Sequence, residues 1–261
     1  MSIALTLAGT AASEAPTRPI VELRDLVKAY DGAPVLRGID LTLVRGQLVA
    51  LMGPNGSGKS TLLKLLSGLI RPTTGRVLIG GWELPREAAQ VRAQIGLVGH
   101  KLLLYEGLTA RENLMFFAQL YNLSKKAAQE RVEIMLEQVG LAHRADDVVR
   151  SFSRGMQQRL SIARALVHDP SILLMDEPYT GLDQDASAGL DKVLRAARAE
   201  GRTILMVTHQ IDHAAQLADR FLILSRGVIA WDAANEDIQG DTLARRYTAV
   251  TGMSSMREHE A

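Results

Sequence analysis

The sequence predicts an α/β fold: a largely parallel sheet, preceded by an antiparallel β subdomain and interrupted by an inserted helical one. Three observations lead there. A strand-like run, Gln47 to Met52, passes through a glycine-rich loop directly into the amphipathic stretch Lys59 to Leu69. Two continuous apolar runs, Ile172 to Met175 and Thr203 to Val207, read as strands buried on both faces, with a helical pattern from Gln184 to Ala199 between them. Between about residues 100 and 165 the pattern is helical throughout, without a strand. The chain has 261 residues, 47% hydrophobic and 23% charged, which is globular composition and favours one large domain with an insertion. Aromatics are only 4%, so the core must be aliphatic.

Taken in order, Ile20 to Leu26 and Val35 to Leu43 are strands, bounded by the turn signals Asp31-Gly32 and Arg45-Gly46. Leu62, Leu63, Leu65, Leu66 and Leu69 then recur at helical spacing. A hairpin follows, Arg76 to Ile79 turning through Gly80-Gly81, and Ile95 to Val98 is another strand. Thr109 with Glu112 forms a capping box for a helix from Ala110 to Tyr121. A second helix, about Lys125 to Val139, stops at Gly140, and Ser153 caps a third that runs to about His168. Residues 1–19 read as a flexible leader, 20–235 as the main domain with its helical subdomain at about 100–165, and 236–261 as a tail with a short helix from Leu243 to Val250.

Several classes are excluded at once. Thirty basic and 29 acidic residues leave a net charge of +1, which argues against a protein that coats nucleic acid, and none is expected as a partner. With no cysteine there is no disulfide framework, no thiolate metal site and no thiol nucleophile. The apolar run Ile3 to Ala12 has no basic residue before it, so it is not a secretory signal, and no run is long enough to span a bilayer. Any membrane role is expected to be peripheral.

The chemistry begins at Gly53-Pro54-Asn55-Gly56-Ser57-Gly58-Lys59-Ser60-Thr61, a complete P-loop. Its glycines let backbone N–H groups wrap phosphates, Lys59 reaches the β and γ oxygens, and Ser60 suits Mg²⁺. The N-terminus of the following helix favours the same anion. Asp176 and Glu177 end the apolar strand at the edge where open α/β sheets place ligands. Asp176 fits the Mg²⁺ shell, and Glu177 fits a base that polarises water in line with the γ-phosphate.

Ser153-Arg154-Gly155-Met156-Gln157 opens a helix with free backbone N–H groups. The P-loop, the helical insert closing on this Ser-x-Gly-x-Gln, Asp176-Glu177-Pro178, Gly181-Leu182-Asp183 and Thr208-His209 together resemble the ATPase subunit of ABC transporters over about residues 20 to 235. The resemblance implies a P-loop NTPase with a RecA-like core. It also implies a dimer, most simply a homodimer, that sandwiches two ATP molecules, with Ser153, Gly155 and Gln157 of one subunit facing the phosphates held by the other. Asp183 would lie at the seam, His209 would sense the γ-phosphate and hold the water of Glu177, and Tyr30 would stack on adenine. An ordinary aromatic at a strand end is the alternative for Tyr30.

At one position the chain departs from the family. A glutamine that touches Mg²⁺ and the attacking water is expected after Ile95 to Val98, and Gly99-His100-Lys101 stands there. His100 takes that catalytic place or else packs beneath the segment facing a membrane subunit; imidazole is shorter than the amide and titratable. Gly-His in this slot, followed by Leu108-Thr109-Ala110-Arg111-Glu112-Asn113-Leu114, is similar to the haem-exporter ATPase of cytochrome c maturation. The Asp176 to Asp183 segment fits that group and also multidrug and polysaccharide exporters. The implied partner is an integral membrane permease at the cytoplasmic face, towards which Phe116, Phe117, Leu120 and Tyr121 could form a groove, although core packing explains them as well. A soluble ABC protein acting on ribosomes or DNA, and a P-loop kinase, are the readings from other classes.

Overall fold

The structure, a computed structural model, describes residues 19–238 and 242–252. Residues 1–18 of the expected leader and residues 239–241 and 253–261 of the expected tail lie outside the described residues.

Strands β1 (Pro19–Tyr30), β2 (Ala33–Val44) and β3 (Leu48–Met52) lead into helix α1 (Lys59–Leu66). The helix stops three residues before the sequence pattern does. Gly68 takes φ +68°, and its N–H bonds Leu65 O while that of Leu69 bonds Lys64 O, a left-handed stop that apolar spacing does not reveal. Next come β4 (Thr74–Ile79), β5 (Trp82–Leu84), α2 (Ala88–Ala93) and β6 (Ile95–Val98).

The helical stretch holds α3 (Ala110–Leu120), α4 (Lys125–Gln138) and α5 (Arg154–Leu166). Thr109 and Glu112 close the capping box at 3.1 and 2.8 Å. Gly140, at φ +67°, ends α4 as Gly68 ends α1, and α5 stops at Leu166 rather than His168. The chain finishes through β7 (Ile172–Asp176), α6 (Gln184–Ala199), β8 (Thr203–Val207), α7 (Ile211–Leu217), β9 (Arg220–Ser225), β10 (Val228–Ala234) and α8 (Thr242–Thr251).

Two sheets form. One is antiparallel, in the order β2-β1-β4-β5; the other runs β10-β9-β3-β8-β7-β6, parallel except for β10. The central strands carry no polar face. Leu48, Ala50 and Met52 of β3, with Leu173 and Met175 of β7, point into the core shared with α3 to α6. Val49, Leu51, Ile172 and Leu174 point to the opposite core, which α1 and the antiparallel sheet complete. Each such aliphatic side chain contributes about 1.5–3 kcal/mol through burial, so the parallel sheet is pinned from both sides. This rigid edge carries the site.

Candidate active site at the ends of the parallel strands

β3 lies between β8 and β9, so the loop after it emerges at the centre of the sheet edge. Gly53 has φ +149°, and a methyl there would lie 2.1 Å from Leu224 O; at Gly58, φ +109°, it would lie 2.6 Å from Leu36 Cδ2. Both positions therefore require glycine, for conformation and for space. Gly58 caps α1 without a side-chain bond, which leaves the first-turn N–H groups to an anion. The Ser57 hydroxyl is buried and has no partner among the described residues, while Asn55 and Gly56 form the exposed rim. Lys59 Nζ bridges the loop, donating to Gly53 O at 2.7 Å and Pro54 O at 3.0 Å. Burial pushes its pKa down, against the pull of the Glu177 and Asp176 charges.

Ser60 lies in the first turn of α1 between Lys59 and Thr61, and its hydroxyl donates to Asp176 Oδ2 at 3.4 Å, which joins loop and strand end. A hydroxyl and a carboxylate are hard oxygen donors of the kind Mg²⁺ takes. Among the described residues no group of three or more His, Cys, Asp or Glu could hold a metal alone. The pair thus suits an ion that completes its shell with phosphate oxygens and waters.

Glu177 follows Asp176 in a left-handed conformation, φ 51°, with its N–H bonded to Val207 O at 2.9 Å. Such strain in a non-glycine residue costs on the order of 1–3 kcal/mol and is held here by the β7–β8 ladder. It turns the carboxylate towards the second residue after β8: His209 Nδ1 lies 2.8 Å from Glu177 Oε2, and the His209 N–H donates to the same oxygen at 3.3 Å. Burial raises the Glu177 pKa, opposed by the His209 charge and hydrogen bonds and by Lys59. His100 lines one cleft with Asp176, Glu177, Arg154 and Gln158. It is exposed.

Tyr30 ends β1, 44% exposed as a residue, with Lys28 Nζ 4.8 Å from its ring centroid. Its partner strand β2 runs along the P-loop, with Val35 O 3.3 Å from a methyl built on Gly58. The tyrosine therefore stands at the turn end of the hairpin that borders the phosphate loop, paired with Ala33.

A second group gathers at the starts of α5 and α6. Ser153 and Asp183 are exposed N-caps, accepting from Met156 N at 3.3 Å and Ala186 N at 2.7 Å. Gly155 packs so closely that a methyl would lie 2.7 Å from Ala186 Cβ, and Arg154 Nε donates to Thr180 O at 3.2 Å. Gln157 leans away from this face and donates to Val149 O at 3.4 Å. Among the described residues no hydrogen bond joins Ser153 or Gly155 to the P-loop.

Sequence reasoning missed four residues. Arg154, the middle residue of the recognised Ser-x-Gly signal, and Gln158, just after Gln157, line the cleft. Tyr179 sits under the Glu177 turn. Tyr247 of α8 has its pKa raised by burial and by the charge of Glu177, which puts the C-terminal helix within electrostatic reach of the carboxylate.

A phosphate-cradling loop, an acidic strand end with a histidine on its base and an exposed Ser-capped helix define a nucleotide-hydrolysing domain. The family model described as "ABC transporter" matches residues 36–180. The linearmycin resistance ATP-binding protein LnrL of Bacillus subtilis (strain 168) is 34% identical over 228 residues, 86% of this chain and 73% of that protein. The daunorubicin resistance ATP-binding protein DrrA3 of Streptomyces coeruleorubidus is 37% identical over 223 residues, 85% of this chain and 71% of that one. The Nod factor export ATP-binding protein I of Burkholderia lata is 39% identical over 212 residues, with 81% and 69% covered. Among solved structures, cbiO1 of Clostridium perfringens, part of the transporter complex cbiONQ, superposes with TM-score 0.80 at 28% identity over 88% of this chain and 95% of that one. The dimeric, ADP- and phosphate-bound cassette MJ0796 gives 0.74 at 30% identity over 84% and 99%.

The chain belongs to the ABC transporter family. It is an ATP-binding subunit whose ATP hydrolysis is coupled to transport.

Proposed function

We propose that this subunit powers a separate membrane permease in an export system, and that haem export for cytochrome c maturation is its particular task. The contact between Glu177 and His209, facing the P-loop lysine at the same sheet edge, carries the hydrolytic part. Lys59 and the loop N–H groups hold the phosphates of ATP, and Tyr30 meets its adenine. Glu177 takes the proton of the attacking water and His209 keeps that carboxylate aimed. Ser60 and Asp176 would hold Mg²⁺, which when bound would neutralise phosphate charge. Ser153, Gly155 and Asp183 meet the nucleotide of a second subunit; that none of them bonds its own P-loop among the described residues supports that division, and Gln157 braces the start of α5.

Among the described residues no helix is long and apolar enough to cross a membrane, which fits a peripheral subunit at the cytoplasmic face with a permease as partner. The edge-to-face cluster of Tyr105, Phe116 and Phe117, with exposed Leu103, Leu120 and Tyr121, offers that permease an apolar surface. The resistance and Nod factor export names of the relatives support export in general. The haem reading rests on His100 and the run Leu108 to Leu114, and export of a drug or polysaccharide is the alternative.

Deletion of the gene separates the two. Loss of covalent haem from c-type cytochromes on denaturing gels, with b-type haem retained, is the expected result. Normal c-type haem with altered resistance to lipophilic drugs would contradict the haem reading.

A further inference from the structure

Two chain segments leave the catalytic edge side by side: the turn after Glu177, and the stretch from His209 into α7. Below the Glu177–His209 contact a second contact joins the same segments. Tyr179 is 2% exposed, and its ring stacks on that of His213 with centroids 4.6 Å apart and planes at 20°. Its hydroxyl donates to Asp191 Oδ1 of α6 at 2.6 Å, and His213 Nδ1 lies 3.8 Å from that oxygen, with no hydrogen-bond partner among the described residues. Burial and the Asp191 carboxylate raise the Tyr179 pKa, so the phenol stays a donor. Arg195, one turn along α6, donates to Gln216 O of α7 at 3.3 Å and closes the brace from the other side.

The links to the site are short. Thr180 N–H bonds Glu177 O at 3.2 Å and Leu182 N–H bonds Tyr179 O at 3.1 Å, so the turn moves as a unit with the tyrosine. On the other segment Gln210 N–H bonds Thr208 Oγ1 at 3.0 Å, and Ala214 N–H bonds Gln210 O at 3.1 Å, which ties His213 to the residue after His209. Two contacts between two stiff segments fix their separation and angle, where one would leave a hinge. We propose that Tyr179, Asp191 and His213 are positioning residues, a buried brace that sets Glu177 and His209 against each other for hydrolysis. The proposal rests on the hydrolytic roles given to Glu177 and His209.

Steady-state ATPase assays on the full chain test it, with melting curves on the same samples. Tyr179→Phe keeps the ring and the stack but removes the donor; it should lower kcat about tenfold while KM for ATP stays within about twofold. Asp191→Ala should do the same, Asp191→Asn should restore most of the activity because its amide oxygen still accepts, and the Tyr179→Phe/Asp191→Ala double variant should be no slower than the slower single one. Unchanged kcat in Tyr179→Phe, or a fall in kcat that comes only with a lower Tm and a raised KM, would overturn the brace. Glu177→Gln, run alongside, separates the two levels: if it keeps near-normal turnover, the hydrolytic assignment beneath the brace fails instead.

Discussion

Gly155 meets α6 so closely that its replacement can be worked through quantitatively. Its conformation suits any residue, and alanine gains up to about 1 kcal/mol of helix propensity. The new methyl, however, would lie 2.7 Å from Ala186 Cβ. Carbon atoms in contact sit about 3.5–4.0 Å apart, so α5 and α6 must part by roughly 0.8 Å or more at their starts. Overpacking of this kind costs about 1–3 kcal/mol, which leaves a net loss near 1 kcal/mol and a Tm lower by about 2–4 °C in a chain of this size. Hydrolysis should suffer more, because Ser153 and Asp183 cap the two displaced helices and a misplacement near 1 Å costs on the order of 10²-fold in rate. Ala186→Gly supplies the control: without its methyl, the nearest atoms to residue 155 are Ala186 Cα and Ser153 Oγ at 4.0 Å. Melting curves and ATPase rates for Gly155→Ala, alone and with Ala186→Gly, should show loss in the first and recovery of rate in the second. Wild-type hydrolysis in the single variant, or no recovery in the double, would refute the reasoning.

Glu177→Gln should keep ATP binding, lower turnover by about 10² or more and accumulate an ATP-dependent dimer on a sizing column; near-normal hydrolysis would remove Glu177 from the role. Because burial raises the Glu177 pKa, its ionised form costs stability above that raised pKa and costs nothing below the unfolded value. Glu177→Gln should therefore raise Tm at alkaline pH and leave it unchanged in acid, and wild-type hydrolysis should fall as pH drops through the raised pKa. A Tm difference independent of pH would contradict that sign. His100→Ala should lower turnover at unchanged ATP affinity and His100→Gln should retain it, whereas wild-type rates in His100→Ala would detach the imidazole from the cleft it lines with Asp176 and Glu177.

The P-loop was legible because backbone wrapping of an anion forces glycine at fixed positions, and Gly53 and Gly58 meet that demand sterically. The double-sided strands were legible for a similar reason, since burial on both faces leaves no polar register. Helix ends were legible only in part: the stop of α4 at Gly140 was readable, whereas Gly68 stops α1 by a left-handed cap while Leu69 continues the apolar period. The reading gave none of α2, α7, β9 or β10. The first two are short, and β10 is an edge strand that alternates exposed with half-buried residues and so lacks the apolar signal of its neighbours. The pairing of Glu177 with His209 depends on the β7–β8 register and the strained turn after Asp176. The contact of Tyr179, Asp191 and His213 depends on three elements that no spacing rule connects.

The central proposal is a site built across two subunits, and mixing two inactive variants tests it directly. Lys59→Ala removes the subunit's own phosphate contact, and Ser153→Arg blocks the surface offered to its partner. Neither alone should hydrolyse ATP. Random pairing in an equal mixture makes half the dimers mixed, each with one intact site, so about a quarter of wild-type activity should return. A mixture as inactive as its parts, or a Ser153→Arg protein active by itself, would contradict a site built across two subunits.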